Sequence, residues 1–336
     1  MIKPTITDIA NAMGITPSTV SRALAGSPRV KDSTRIAIEE KAREMGYERN
    51  VMASNLRKGV AKTVGIIVPR INRQFFSNII SSAESVLGEA GYTVIICQTH
   101  ETLADEIKAL KTMRANQVAG ILISHSIESK NGDHILENIP EGVELVQFDR
   151  VFSDLPGIKV VNDDVKGAYE ATKSLIRNGY KRIGTLGGYL GAELFRDRMD
   201  GYLKALQEEG SEIDESLIFE DSILRKTGYK SAKAAVERGC DALYCAGDFS
   251  ALGAFDAVRE AGLEVPRDFG IIGTANENFT SLMSPTLSSL EQKPHLMGSE
   301  AALAFLEAIE GKQEDSTIVI PMELILRESS QRNIQQ

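Results

Sequence analysis

The first sixty residues carry apolar positions at helical spacing and no strand-like run. Ile6, Ile9, Ala10 and Met13 share one face. Thr5 precedes them with Asp8 in capping-box spacing, and Gly14 supplies a stop. Thr16 caps a second helix whose first residue is Pro17, where a missing N–H costs nothing. Val20, Ala23 and Leu24 form its buried stripe, and Gly26 ends it. A third helix is predicted from about Asp32 to Met45, with Ile36, Ile38, Ala42 and Met45 inward and Gly46 just beyond its end. Two short helices joined by a Gly-Ile-Thr turn and followed by a third make a helix-turn-helix.

From Val64 the pattern changes to short apolar, β-branched runs alternating with amphipathic helices. VGIIV, YTVIICQ, GILIS and ELVQFD form one series; IKVVN, RIGTLGG, SLIF, DALYCAG and FGIIGT form a second. Continuous apolar strands between helices predict parallel sheets covered on both faces, and two series predict two doubly wound lobes. The remaining strand TLSSLEQ, helix 294–310 and strand TIVIPMELIL are expected to return and complete both lobes around a hinged cleft. The expected fold is therefore a small all-α helix-turn-helix headpiece (1–48) and an α/β body (63–336). Lobe 1 takes 63–158 with 293–318, and lobe 2 takes 159–292 with 319–329. Between them, 49–62 holds a short ridge of Val51, Met52, Ala53 and Leu56 flanked by Arg49, Arg57, Lys58 and Lys62. It is too short to stay helical alone in water and is expected to fold on docking.

Charge sharpens this division. The net charge is −9, yet residues 1–62 hold eleven Lys/Arg against six Asp/Glu, leaving +5 on the first part and −14 on the rest. A basic module on an acidic body points to nucleic acid as the partner of the former. No run of eighteen apolar residues offers a membrane span, and the N-terminal stretch lacks the apolar core of a signal peptide, so a cytoplasmic protein is expected. Cys97, Cys240 and Cys245 lie in apolar runs without metal spacing and are expected to be buried small hydrophobes in a reducing compartment. His100, His125, His134 and His295 show no ligand spacing, so no metal is expected. GTLGGYLG lacks the G-x-G-x-x-G spacing of a phosphate cradle. No nucleophile–base–acid grouping emerges; neither an enzyme nor a cofactor is expected. The competing classes are a sugar receptor without DNA, which the first 62 residues disfavour, and an enzyme on a doubly wound fold.

The second helix presents Thr16, Pro17, Ser18, Ser21 and Arg22 opposite its buried stripe. Hydroxyls at a helix N-terminus accept close approach to phosphates and base edges, and Arg22 can bridge guanine O6 and N7. Spacing alone leaves an ordinary surface helix equally open.

The run TITDIANAMGITPSTVSRALAGSPRVKDSTRIAIEEKAREMGYERNVMASNLRKG resembles the N-terminal module of LacI/GalR-family repressors. The likeness continues to about Ser329 through VGIIVP, FFSNII, FDR, NDDVKGAYEAT, RMDGYLKAL, AGDFSALGAFDAVREAGLEVPRDFGIIG and PTLSSLEQ. The resemblance implies a transcriptional regulator, a repressor of carbohydrate genes, with a type I periplasmic-binding-protein-like body. It implies a homodimer on a pseudo-palindromic operator in double-stranded DNA. It places Thr16, Pro17, Ser18 and Arg22 in the major groove, and Thr5, Thr19, Ser21 and Thr34 on phosphates, which position without specifying. Arg29 would reach a base or a phosphate. Asn50 would start a hinge helix whose Ala53 lies in the minor groove and whose Leu56 wedges between base pairs. Arg49 stands where the family usually has proline, which loosens the entry to that helix. In the body the resemblance implies an effector held by Phe75, Phe76, Ser124, Asp149, Arg150, Arg198, Asp248 and Asn276, with a strand-end ion pair equally open for Asp149 and Arg150. The family commonly has two aspartates where Ala275 and Asn276 stand, and an Asn where Gly247 precedes Asp248. With one acid fewer beside Arg150, Arg196 and Arg198, the expected ligands widen from a sugar to a sugar acid or sugar phosphate. The C-terminal RESSQRNIQQ carries no leucine heptads, so a dimer rather than a tetramer is expected.

Overall fold

The computed structural model describes residues 4–47, 62–312 and 315–332. The chain divides into two units, Met1–Ala61 and Lys62–Gln336. In the first, α1 (Ile6–Met13), α2 (Pro17–Leu24) and α3 (Asp32–Glu44) enclose a small core of Ile9, Ala10, Val20, Ala23, Ile38 and Ala42. The Thr5 hydroxyl accepts the Asp8 N–H at 3.3 Å while the Thr5 N–H donates to the Asp8 carboxylate at 2.8 Å, completing the capping box. Gly14, at φ 64, takes the left-handed conformation that ends α1. One expectation fails: Ile36 is 52% exposed, because the buried face of α3 runs through Ile38 and Ala42. Two residues from Ile38 is about 200° around a helix, so Ile36 falls on the opposite side.

Among the described residues, the second unit contains two six-stranded sheets. Strands β1 (Thr63–Val68), β2 (Thr93–Gln98), β3 (Gly120–Ile123), β4 (Glu144–Phe148), β5 (Ile158–Asn162) and β11 (Thr317–Ile320) order as β11-β5-β4-β3-β1-β2, all parallel. Strands β6 (Ile183–Leu186), β7 (Ile218–Phe219), β8 (Ala242–Cys245), β9 (Gly270–Thr274), β10 (Ser288–Glu291) and β12 (Glu323–Ile325) order as β12-β10-β9-β8-β6-β7, with β12 antiparallel. Helices α4 (Gln74–Glu89), α5 (Leu103–Ala115), α6 (Asp133–Asn138) and α11 (Pro294–Ile309) cover the first sheet. Helices α7 (Asp164–Arg177), α8 (Glu193–Glu208), α9 (Arg225–Glu237) and α10 (Asp248–Glu260) cover the second. Close helix pairs need glycine. A Cβ on Gly201 of α8 would sit 2.2 Å from the Val165 carbonyl oxygen of α7, and one on Gly298 of α11 would sit 2.2 Å from that of Ile79 on α4.

Two boundaries move. Ile158–Asn162, expected to open lobe 2, instead pairs with β4 and β11 inside lobe 1. TIVIPMELIL is not one strand: the chain leaves the first sheet after Ile320 and re-enters the second at Glu323, because Pro321 cannot donate to a ladder. Among the described residues, three segments join the lobes, after β5, β10 and β11. Asn162 ties them together, its amide donating to Gln292 O at 2.9 Å and Ile320 O at 3.3 Å while accepting from Gln292 at 3.2 Å. Cys97, on edge strand β2, is half-buried rather than buried, whereas Cys240 and Cys245 are buried as expected. Among the described residues no helix is long and apolar enough to cross a membrane.

Candidate functional sites

In the first unit, Thr5, Thr16, Pro17, Ser18, Arg22 and Arg29 are exposed, and Thr19, Ser21 and Thr34 half-exposed. The Thr16 hydroxyl caps α2 by accepting the Thr19 N–H at 3.3 Å and lies 2.9 Å from both the Ser18 and Thr19 hydroxyls. Three hydroxyls thus cluster at a helix N-terminus that carries positive dipole character and no acidic residue in its first turn. Arg22, one turn on, presents a guanidinium on the same exposed surface. Asn50, Ala53 and Leu56 lie outside the described residues.

In the second unit, a cavity of about 340 Å³ opens between the lobes. Its wall is built where parallel strands end, the position at which open α/β sheets bind ligands. Arg70 and Arg73 follow β1, Glu101 follows β2, and Asp149 and Arg150 follow β4. From lobe 2, Tyr189 follows β6, Asp248 and Phe249 follow β8, and Glu277 follows β9. Phe75, Phe76 and Phe195 add apolar surface, with Phe75 edge-on to Phe76 at 5.2 Å.

The charged groups are bonded inside the protein. Arg198, on α8 and 6% exposed, donates from Nε to Asp164 at 2.6 Å and from Nη1 to the Ala246 carbonyl at 2.8 Å. Burial pushes the Asp164 carboxyl above its ordinary value even with Arg198 pulling against it. Arg150 forks onto Glu101, with Nη2 at 3.2 Å from Oε1, and Arg70 approaches the same carboxylate at 3.6 Å. Burial pushes Glu101 up, but Arg150, the Ile127 N–H and Arg70 together hold it below its ordinary value. Asp149, at φ 60, accepts the Ser124 hydroxyl at 3.2 Å, and burial raises its carboxyl. Asp248 accepts from Ser289 at 2.7 Å and from the Glu277 N–H at 2.8 Å; burial pushes it up to about 7.

Phe75, Phe76, Asp149, Arg150, Arg198 and Asp248 therefore line the cavity as expected, but two candidates do not. Ser124 is fully buried and supports Asp149 from behind. Asn276 faces away: its amide donates to Glu291 at 2.8 Å and accepts from Arg327 at 2.7 Å. Consecutive left-handed residues, Ala275 at φ 112 and Asn276 at φ 51, turn the chain so that Ala275 and Glu277 reach the wall instead. The arginine surplus also disappears. Arg196 is exposed and donates to the carbonyls of Leu190 and Gly191, while the wall sets four arginines against five carboxylates. Glu101, Arg73, Phe249 and Glu277 were missed; their places just past strand ends were the available signal.

Comparison with known proteins agrees with this geometry. Residues 61–328 match the family model described as periplasmic binding proteins and sugar binding domain of LacI family. Residues 5–50 match that of bacterial regulatory proteins, lacI family. The chain belongs to the LacI family. The HTH-type transcriptional regulator RegA of Clostridium saccharobutylicum is 32% identical over 97% of this chain and 98% of its own length. A transcriptional regulator CelR–cellobiose complex is 26% identical, with a TM-score of 0.73 over 97% of this chain and 99% of that one. The lac repressor dimer bound to operator and the anti-inducer ONPF shares the fold at a TM-score of 0.86 and 20% identity, covering 98% of this chain and 99% of that one. This LacI-family protein is a DNA-binding transcriptional regulator with an α-helical headpiece and a two-lobed, periplasmic-binding-protein-like body.

Proposed function

We propose that this regulator represses carbohydrate genes as a homodimer on a pseudo-palindromic operator, and that an uncharged sugar between the lobes sets its operator affinity. The observation that carries the ligand class is the balanced wall: Arg198 is engaged by Asp164 and Arg150 by Glu101, so neither guanidinium is left to neutralise an anion. Carboxylates, carbonyls and aromatic faces suit hydroxyl groups and C–H faces, the mixture of apolar lining and few fixed polar groups typical of small-molecule sites. A sugar acid or sugar phosphate would bring its charge beside Asp149, Asp248 and Glu277, acids whose own ionisation burial already disfavours. The cellobiose bound by CelR is an uncharged sugar of the same kind.

On the DNA side, Thr16, Pro17, Ser18 and Arg22 read base edges, while Thr5, Thr19, Ser21 and Thr34 contact phosphates and Arg29 reaches a base or phosphate. A two-fold dimer sets its two headpieces in successive major grooves of a symmetric site. Effector binding shifts the population of lobe arrangements and changes operator affinity by the coupling free energy. DNase footprinting upstream of the protein's own operon, with neutral sugars, uronates and sugar phosphates added in turn, tests both parts. A protected palindrome that responds to a neutral sugar is expected. Absence of any protected site overturns the operator reading, and a response confined to the anionic sugars overturns the ligand class.

A further inference from the structure

Helix α4 begins at the mouth of the cavity without a cap of its own. Its N-cap residue, Arg73, makes no side-chain capping bond, and the first turn contains no acidic residue. A helix start leaves backbone N–H groups without intrahelical partners and favours negative charge nearby. Lobe 2 supplies both. The Glu277 carboxyl, 8% exposed, faces the Gln74 N–H and the Arg73 guanidinium. Beside it, Gln74 and Asn278 exchange two hydrogen bonds: the Gln74 amide donates to the Asn278 side-chain oxygen at 2.8 Å, and the Asn278 N–H donates to the Gln74 side-chain oxygen at 2.8 Å. The Arg73 guanidinium also lies over the Phe249 ring, 3.7 Å from its centroid, a cation–π contact across the same gap.

We propose that Arg73 and Gln74 of lobe 1 latch onto Phe249, Glu277 and Asn278 of lobe 2 at the cavity mouth, with the Glu277 carboxyl serving as the N-terminal cap of α4 and Asn278 clasping the Gln74 side chain. Opening the cleft then uncaps the helix that carries Phe75 and Phe76 into the wall. Because α4 packs on α11 at the close approach of Gly298 to Ile79, its first turn links the state of the mouth to the outer layer of lobe 1. Glu277 and Asn278 are positioning residues: they act on the cavity through α4. The inference rests on the two-lobed body alone and holds whichever ligand the cavity takes.

Hydrogen exchange on the full chain, in the absence of DNA and sugars, tests it. Asn278→Ala should speed exchange in peptides spanning 74–78 of the other lobe by roughly fivefold, the loss expected for about 1 kcal/mol of side-chain pairing. Peptides from the strands of the second sheet should keep the parent's rate. Gln74→Ala, made at the opposite end of the contact, should speed exchange at 277–280 and so reads the latch even if Asn278→Ala folds poorly. The double variant should exchange little faster than either single one, because both remove the same pair. Exchange at 74–78 that stays at the parent's rate in Asn278→Ala, or fully additive single effects, overturns the latch. Neither result bears on operator binding, which the footprint reads separately.

Discussion

On the α2 face, the Thr16 hydroxyl meets Ser18 and Thr19, two and three residues away. In the cavity wall, Arg198 bonds Asp164 across 34 positions, and Asp248 bonds Ser289 across 41. The first arrangement is exposed, local and built from capping chemistry. The second is buried and assembled from strand ends far apart in the chain. The difference separates what each can tolerate: loss of a local cap weakens one helix start, whereas loss of a buried partner leaves a charge with nowhere to go.

Arg198→Ala should therefore give the largest effect. It leaves the Asp164 carboxylate buried without its cation, a loss on the order of 3–5 kcal/mol for a broken buried pair. Denaturant unfolding of the body measures it, and any sugar that stabilises the parent in thermal shift should no longer do so. A cost below about 1 kcal/mol would mean that the wall behaves like an exposed surface pair, and the contrast between the two regions would fail.

A second test uses pH. Burial pushes the Asp248 carboxyl from its ordinary 3.8 up to about 7, so between those values the folded chain holds this proton more tightly than the unfolded chain does. Stability from this group is present at low pH, declines as pH rises through that window, and levels off above it. Asp248→Asn should flatten that decline by an amount on the order of a kcal/mol per unit of pH. Thermal melts at pH 5, 6, 7 and 8 compare the slopes; equal slopes in parent and variant would show that Asp248 does not titrate in this range.

The same contrast explains what the sequence revealed. Caps, stops and strand runs are local, so α1 and α2 and most strands fell within a residue or two of their expected places. Ile36 faces outward against its apolar pattern because its neighbours alone do not say which face of α3 meets the core. The sheet membership of Ile158–Asn162 depended on pairing with β11, 155 residues or more further along the chain, which no local pattern records. In the cavity, Arg198 and Arg150 were legible as types in family motifs, but their counter-charges were not. Asp164 and Glu101 reach them through the fold, and without them the wall read as cationic. The direction of Asn276 is hidden from the sequence for a related reason, since it depends on two left-handed residues in succession.

The smallest expected effect lies at the local end of the comparison. Thr16→Ala removes the hydroxyl that accepts the Thr19 N–H and should cost the headpiece about 1 kcal/mol. Thr16→Ser keeps an oxygen at the same place and should restore most of it. The headpiece transition, followed by exchange of amides in α2 of the full chain, should shift for Ala and little for Ser, while amides of the second sheet stay unchanged in both. Operator affinity separates the hydroxyl's two roles. If Thr16 acts through the cap alone, affinity should follow α2 stability across both variants. If the hydroxyl also touches DNA, Thr16→Ala should lose more affinity than its stability deficit accounts for, and Thr16→Ser should recover it. A Ser variant as unstable as the Ala variant would show that the methyl group of Thr16, rather than its hydroxyl, holds the start of α2.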